Sequence, residues 1–307
     1  MQALKLKLRS ALDRAEAAAI GAALWLVRRM EVRRAADLFG FLARNLGPLL
    51  PVTKVGDVNL RLAMPELDAA ARRRVLRGVW DSLGRTVAEF PHIGSLGPTE
   101  SGPGWEFVNE QILRDIAASD APAVLVGAHI GNWEILPAAL SRLGLRLGFF
   151  YRAASNAVAN EAILQLREQA CRRKLPGFAK GAQGARQAVA HLSRGGHLGV
   201  LFDQKLNNGI SVKLFGHQAM TAPAAAALAL KFNAPLVPVR VQRIGPARFR
   251  LTVENPLERP HTGNNAEDIA VWTQAINDCL EAWVRDDPTQ WLWLHRRWPK
   301  EVTNQVS

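Results

Sequence analysis

The chain has 307 residues, 48% of them hydrophobic and 21% charged, which excludes wholesale disorder and leaves room for a sizeable buried core. Its net charge of +12 and pI near 10.6 favour an anionic partner: nucleic acid, acidic lipid, a phosphorylated substrate or an acidic carrier protein. The two cysteines, Cys171 and Cys279, match no metal-ligand spacing and exclude a disulfide framework, which fits a reducing compartment.

Residues 17–27 are uncharged, with Lys5, Lys7, Arg9 and Arg14 before them and Arg28, Arg29, Arg33 and Arg34 after. A bilayer span needs about 20 apolar residues. Arginines follow at once where a signal cleavage site would stand. The pattern predicts a basic amphipathic helix lying in the membrane interface; an ordinary first helix with its Ala/Leu face in the core is the other reading. Leu38, Phe41, Leu42 and Leu46 then recur at helical spacing, and Gly47-Pro48 closes that segment. Residues 68–90 predict a second long helix with Val75, Leu76, Val79, Leu83 and Val87 as its apolar face and Arg72, Arg73 and Arg74 on its solvated side. Residues 94–104 form a loop rich in glycine and proline.

Short apolar runs and helical stretches alternate from there on. Residues 123–128, 145–151, 198–202, 236–242 and 249–254 read as strands, and 133–142, 160–173, 184–194 and 224–232 as helices. The alternation predicts an α/β fold, a layered αβα sandwich with a mostly parallel central sheet, preceded by an N-terminal helical region that contacts the membrane. The division expected is 1–95 for that helical region and 96–307 for the α/β domain. An amphipathic helix over 266–284 precedes a tail carrying Trp291, Trp293 and Trp298, either core or interfacial.

The strand at 123–128 ends on His129, and Glu134 follows five positions later. In open α/β sheets ligands bind outside the carboxyl ends of strands. A histidine there, with an acid in the next turn able to orient it, could make a general base that activates a hydroxyl. Tyr151 and Arg152 follow the next strand, with Asn156 after them and Arg167 on the next predicted helix; Asp203-Gln204 follow the strand at 198–202. If those strands are parallel, three polar clusters converge on one edge. Phosphate-binding loops, dinucleotide fingerprints, zinc helices and serine nucleophile elbows are absent from the sequence. So are the helix-turn-helix, zinc-finger and aromatic RNA-binding signatures that nucleic-acid binding would need, leaving that reading resting on pI alone.

These blocks carry a resemblance. His129-Ile130-Gly131-Asn132-Trp133-Glu134 resembles the H-x-x-x-x-D/E motif of the glycerolipid acyltransferase superfamily. Over most of its length the chain is similar to that superfamily's lipid A biosynthesis late acyltransferases, the lauroyl/myristoyl transferases. Asn59 to Glu66 resembles the family's N-L-x-x-x-x-P-E signature, and Gly84 to Phe90 the segment before its catalytic domain. Tyr151 to Asn156 resembles Y-R-P-x-x-N, Asp203-Gln204 with Gly209 to Gly216 a third block, and Gln290 to Trp298 the carboxyl-terminal signature. Ala153 and Lys213 stand where prolines are usual, Lys205 where an acidic residue is, and Pro223 where small residues are.

The resemblance implies transfer of a fatty acyl chain from an acyl carrier protein thioester to a hydroxyl of a lipid A precursor, in lipopolysaccharide biosynthesis. His129 would be the base and Glu134 its orienting carboxylate. Tyr151, Arg152, Asn156, Arg167, Asp203 and Gln204 would bind substrate, with Arg152 or Arg167 holding a phosphate or the developing oxyanion. No metal or organic cofactor is implied. The partners implied are acyl carrier protein, an anionic glycolipid and the membrane surface, at the cytoplasmic face of the cell inner membrane. A lysophospholipid or other glycolipid acceptor, or an inactive lipid-binding homologue, are the alternatives.

Overall fold

The computed structural model describes residues 21, 22, 24–151, 157–179, 181–304 and 306. Of the predicted interfacial helix at 17–27, residues 17–20 and 23 lie outside the described residues, as do Arg152 and Asn156; in the part described Trp25 and Leu26 are exposed and Val27 is buried. Among the described residues no helix is long and apolar enough to cross a membrane.

Residues 21, 22 and 24–29 are helical, and three helices follow: α1 (Val32–Leu46), α2 (Thr53–Ala63) and α3 (Ala69–Glu89). The Glu31 carboxylate accepts from the backbone amides of Arg33 and Arg34, and Asp68 accepts from Ala71, so both long helices start on acidic caps. A Cβ at Gly84 would lie 2.3 Å from the Phe39 carbonyl oxygen; glycine there lets the backbones of α1 and α3 touch. In α1 the residues turned inward are the small ones, Ala35, Ala36 and Gly40, while Leu38, Phe41, Leu42 and Leu46 are exposed. On α3, Val75, Leu76 and Val79 are buried as predicted but Val87 is 56% exposed.

The rest is built on a seven-stranded sheet. Its strands are β1 (Gly104–Val108), β2 (Ala123–Gly127), β3 (Leu147–Tyr151), β4 (Gly177–Ala179), β5 (His197–Leu201), β8 (Leu236–Gly245) and β9 (Arg248–Val253), in the order β1-β9-β8-β2-β5-β3-β4. Every neighbouring pair is parallel except β8 and β9. The expected mostly parallel sheet is present. β6 (Lys205–Leu214) and β7 (His217–Thr221) form a separate antiparallel hairpin that the sequence reading missed, along with the short β1 and β4.

Side chains alternate across β2: Val124 and Val126 enter one core cluster and Leu125 the other. The first cluster is covered by α8 (Ala224–Lys231) and α9 (Asn265–Asp286), through Ala225, Ala229, Trp272, Ile276 and Leu280. The second is covered by α4 (Glu110–Ala118), α5 (Ile135–Arg142) and α6 (Ala157–Cys171), through Leu113, Ile135, Ala139 and Ala170. Helices α7 (Ala182–Leu192) and α10 (Lys300–Thr303) complete the order. Trp291, Trp293 and Trp298 are core residues, packed edge to face on one another and sharing a cluster with Leu60 and Trp80 of the N-terminal helices. Asn59 joins the two ends of the chain, donating to the carbonyls of Trp293 (2.8 Å) and His295 (2.7 Å).

Candidate active site

β2 and β5 are paired in parallel with Gly127 opposite Leu201. Two residues further along each strand stand His129 and Asp203, so the register brings them level at the sheet's carboxyl edge. His129 Nδ1 lies 2.7 Å from Asp203 Oδ1, and the His129 amide donates to Oδ2 at 3.0 Å. Trp291 Nε1 donates to the same Oδ2 at 2.8 Å. Asp203 has no exposed surface and both its oxygens are occupied. Expected among the substrate-binding residues, Asp203 is placed beneath His129, with both oxygens taken by protein donors.

With a carboxylate on Nδ1, that nitrogen carries the proton and Nε2 is the basic one, with no protein hydrogen-bond partner among the described residues. Burial pulls the imidazole pKa down, but the charge and hydrogen bond of Asp203, with the charge of Glu134, outweigh it and hold it above the ordinary value. For Asp203, burial pushes up while the His129 charge and hydrogen bond, His295 and Trp291 pull down harder, leaving it firmly ionised. His295, pressed by burial below its ordinary value, places its ring nitrogens 2.6 Å from the Leu292 carbonyl and 3.2 Å from that of Asp203.

Glu134 does not bond to the imidazole. Its two oxygens accept from Arg167 Nε and Nη2 at 2.8 and 2.7 Å, a bidentate pair tying the turn after β2 to α6. Trp133 Nε1 donates to Glu134 Oε1 at 3.2 Å, and the Trp133 ring stands edge-on to His129 at 5.0 Å. Glu134, expected to orient the imidazole, is bonded to Arg167, while Asp203 lies against Nδ1. The reason is geometric: Glu134 opens a helix that leads away from the strand, whereas Asp203 leaves the neighbouring strand at the same level. Arg167 keeps Nη1 clear of this pair.

The turn bearing these groups is fixed from two sides. Asn132, fully buried, donates to Glu89 Oε2 at 2.8 Å, and Glu89 Oε1 takes Arg243 Nη1. Thr86 Oγ1 donates to the Gly131 carbonyl at 3.3 Å. On the other side, residues 290–292 run antiparallel to it: Gly131 N donates to Gln290 O and Leu292 N to His129 O, both at 3.0 Å. Gly131 has φ +60°, and a Cβ there would lie 2.6 Å from the Val241 carbonyl oxygen. Thr86, Glu89, Asn132 and Trp291 were missed as site residues from sequence; they lie in matched blocks, which mark segments but not partners.

His129, Glu134, Tyr151, Arg167 and Gln204 all line one cavity of about 260 Å³. Behind these polar groups its wall is apolar, with Leu125, Leu136, Leu140, Leu147, Phe149 and Val239 between the sheet and α5. Exposed Gln204 also borders a polar basin of about 500 Å³ lined by Lys205, Asn207, Asn208, His295 and Arg296. Gln204 therefore stands where the apolar cavity meets the polar basin, and His129 lines the apolar side. Among the described residues no group of three or more His, Cys, Asp or Glu is arranged to hold a metal.

A family model described as bacterial lipid A biosynthesis acyltransferase matches residues 5–300. The lipid A biosynthesis lauroyltransferase of Escherichia coli (strain K12) is 24% identical over 270 residues, covering 80% of this chain and 78% of that protein.

Proposed function

From the premise that the chain belongs to the bacterial lipid A biosynthesis acyltransferase family, and so is an acyltransferase of lipid A biosynthesis, we propose that it moves a fatty acyl group from an acyl carrier protein thioester to a hydroxyl of a lipid A precursor. The observation that supports this reading is His129, held through Nδ1 by Asp203, on the wall of an apolar cavity that shares Gln204 with the polar basin. The acyl chain lies in the slot lined by Leu125, Leu140 and Leu147, and the sugar head of the acceptor occupies the basin near Lys205 and Arg296.

His129 Nε2 takes the proton as the acceptor oxygen attacks the thioester carbonyl. The C–O bond forms, the C–S bond breaks, and the leaving thiolate takes the proton back from Nε2. Asp203 stabilises the imidazolium between these steps without accepting its proton, as the acid of a serine-protease triad does. No protein nucleophile is required, because the acceptor brings the alcohol. Arg167 lines the cavity with Nη1 not used by Glu134, and it serves the developing oxyanion or an anionic substrate group. The setting we propose is the cytoplasmic face of the cell inner membrane, where a carrier-bound donor and a lipid acceptor meet.

The test is purified protein with acyl carrier thioester and either lipid A precursor or lysophosphatidic acid, products read by mass spectrometry. Transfer to the precursor, lost in a folded His129→Ala protein, is the expected result. Transfer only to the lysophospholipid overturns the acceptor, and an unchanged rate in His129→Ala overturns the base.

A further inference from the structure

Away from the catalytic cavity, α3, the end of α1 and residues 289–290 enclose a cleft of about 490 Å³ lined by Arg44, Arg74, Arg77 and Arg243. Arg74, Arg77 and Asp81 share one side of α3. Gly78 lies between them, where a Cβ would come within 2.7 Å of Thr289 Cβ, so the helix rests directly on that turn. The positive charge of the cleft is not neutralised from within. Its one carboxylate, Asp81, is bound to Arg85 at 2.6 Å and stands 3.8 Å from Arg44. Arg77 donates to neutral Asn45 at 2.8 Å, and Arg74 forms no ion pair among the described residues. Arg243 is only 10% exposed; Glu89 and Thr86 take its Nη atoms, and its buried Nε has no partner. Arg74 and Arg77 thus face the cleft without a carboxylate to match them, and planar guanidinium forks of this kind suit a phosphate.

The helix that supplies Arg44 to the cleft also carries exposed apolar side chains. Leu38, Phe41, Leu42 and Leu46 are each 42–59% exposed on α1, the helix that carries Arg44, and Leu49 and Leu50 extend them at 79% and 51%. The Arg44 guanidinium stands 5.7 Å from the Phe41 ring centroid. A contiguous apolar stripe of this kind on a soluble surface marks a binding face.

We propose that this cleft binds the phosphate of an anionic phospholipid headgroup while the α1 stripe lies among the acyl chains of the same leaflet. An amphiphile satisfies both features at once. An acidic protein would fill the cleft and leave the stripe in water. The inference rests on the membrane setting proposed above and gives it a lipid class and contacting residues.

Co-sedimentation of the full chain with phosphatidylcholine vesicles, with and without phosphatidylglycerol, tests it. Wild type is expected to prefer the anionic vesicles. Arg74→Gln/Arg77→Gln, both exposed and so compatible with folding, is expected to lose about 30-fold in that binding, two cations at about 1 kcal/mol each. Arg74→Lys/Arg77→Lys should retain most of it, and Leu42→Asn should weaken binding to both vesicles. Wild-type-like binding by the glutamine variant overturns the proposal. So does an effect confined to retention on immobilised acyl carrier protein, or a site that takes inorganic phosphate while showing no vesicle preference. His129→Ala should bind vesicles as wild type does; because no turnover is measured, failure here leaves the acyl-transfer reading standing.

Discussion

His129 Nδ1 and Asp203 Oδ1 lie 2.7 Å apart because β2 and β5 run parallel in register; 74 residues of chain separate them. The adjacent acid in sequence, Glu134, is committed to Arg167. His129 and the carboxylate against its Nδ1 thus follow two neighbouring strands.

Asp203→Asn should leave the fold intact and lower turnover by about 10²–10⁴-fold, the usual worth of a correctly held base. The amide can offer N–H to Nδ1, which would move the imidazole proton to Nε2 and block it as a base. Circular dichroism and steady-state transfer rates check this; wild-type turnover in the variant would remove Asp203 from the mechanism.

The pH profile follows from the raised pKa of His129. Only the neutral imidazole can accept a proton, so kcat/KM should fall as pH drops through a value above that of an ordinary histidine, about 6.5. Removing the Asp203 charge takes away the attraction that raised it, so residual activity in Asp203→Asn should show its acid limb at lower pH. A limb that stays in place would assign the titration to another group.

Glu134→Gln leaves Arg167 with little exposure and no carboxylate, which should cost about 3–5 kcal/mol of stability. Glu134→Gln/Arg167→Met should recover most of that loss in thermal melts while transfer stays impaired. Full recovery of transfer by the double variant would make the pair purely structural.

At Gly131 a side chain meets both a left-handed backbone and the Val241 carbonyl. Gly131→Ala should destabilise by about 1–3 kcal/mol from the backbone alone and displace the turn between His129 and Glu134. A lower melting temperature with transfer reduced beyond the loss of folded protein is the expected outcome. Normal rates per folded molecule would show that the turn tolerates displacement.

Gly199 stands beside Leu125 and Phe149 in the sheet and lines the apolar cavity. A Cβ there meets Leu147 at an ordinary 3.4 Å, so the sheet accepts a larger residue, whose bulk must enter the cavity. Gly199→Leu should shift preference toward shorter acyl donors, each buried methylene being worth about 0.8 kcal/mol. Competition between thioesters of different length reads this out, and an unaltered ratio would place the chain elsewhere.

Much of the sheet is legible in the sequence because strands buried on both faces leave continuous apolar runs. Those at residues 123–128 and 198–202 correspond to β2 and β5 within one or two residues at each end. The polar residues after β2, β3 and β5 were also visible, and their convergence needs only that the strands be parallel. Short β1 and β4 carry too few residues for a pattern, and the β6–β7 hairpin has one solvated face and no clean alternation. In α1, spacing announced a helix but not its inward side: tight crossing over α3 selected Ala35, Ala36 and Gly40 and turned Leu38, Phe41 and Leu42 outward.

The sequence alone determined the α/β class, the strand that ends on His129, and the resemblance that names the chemistry, because these depend on local pattern and matched blocks. Tertiary structure decided the partner of that histidine. Inserting β5 between β2 and β3 is a long-range pairing with no trace in local spacing, and it sets Asp203 against Nδ1 while leaving Glu134 to Arg167. It also decided the fate of the tryptophans: residues 290–292 pair beside the His129 turn, burying Trp291 against Asp203, where composition alone would equally have placed them at an interface.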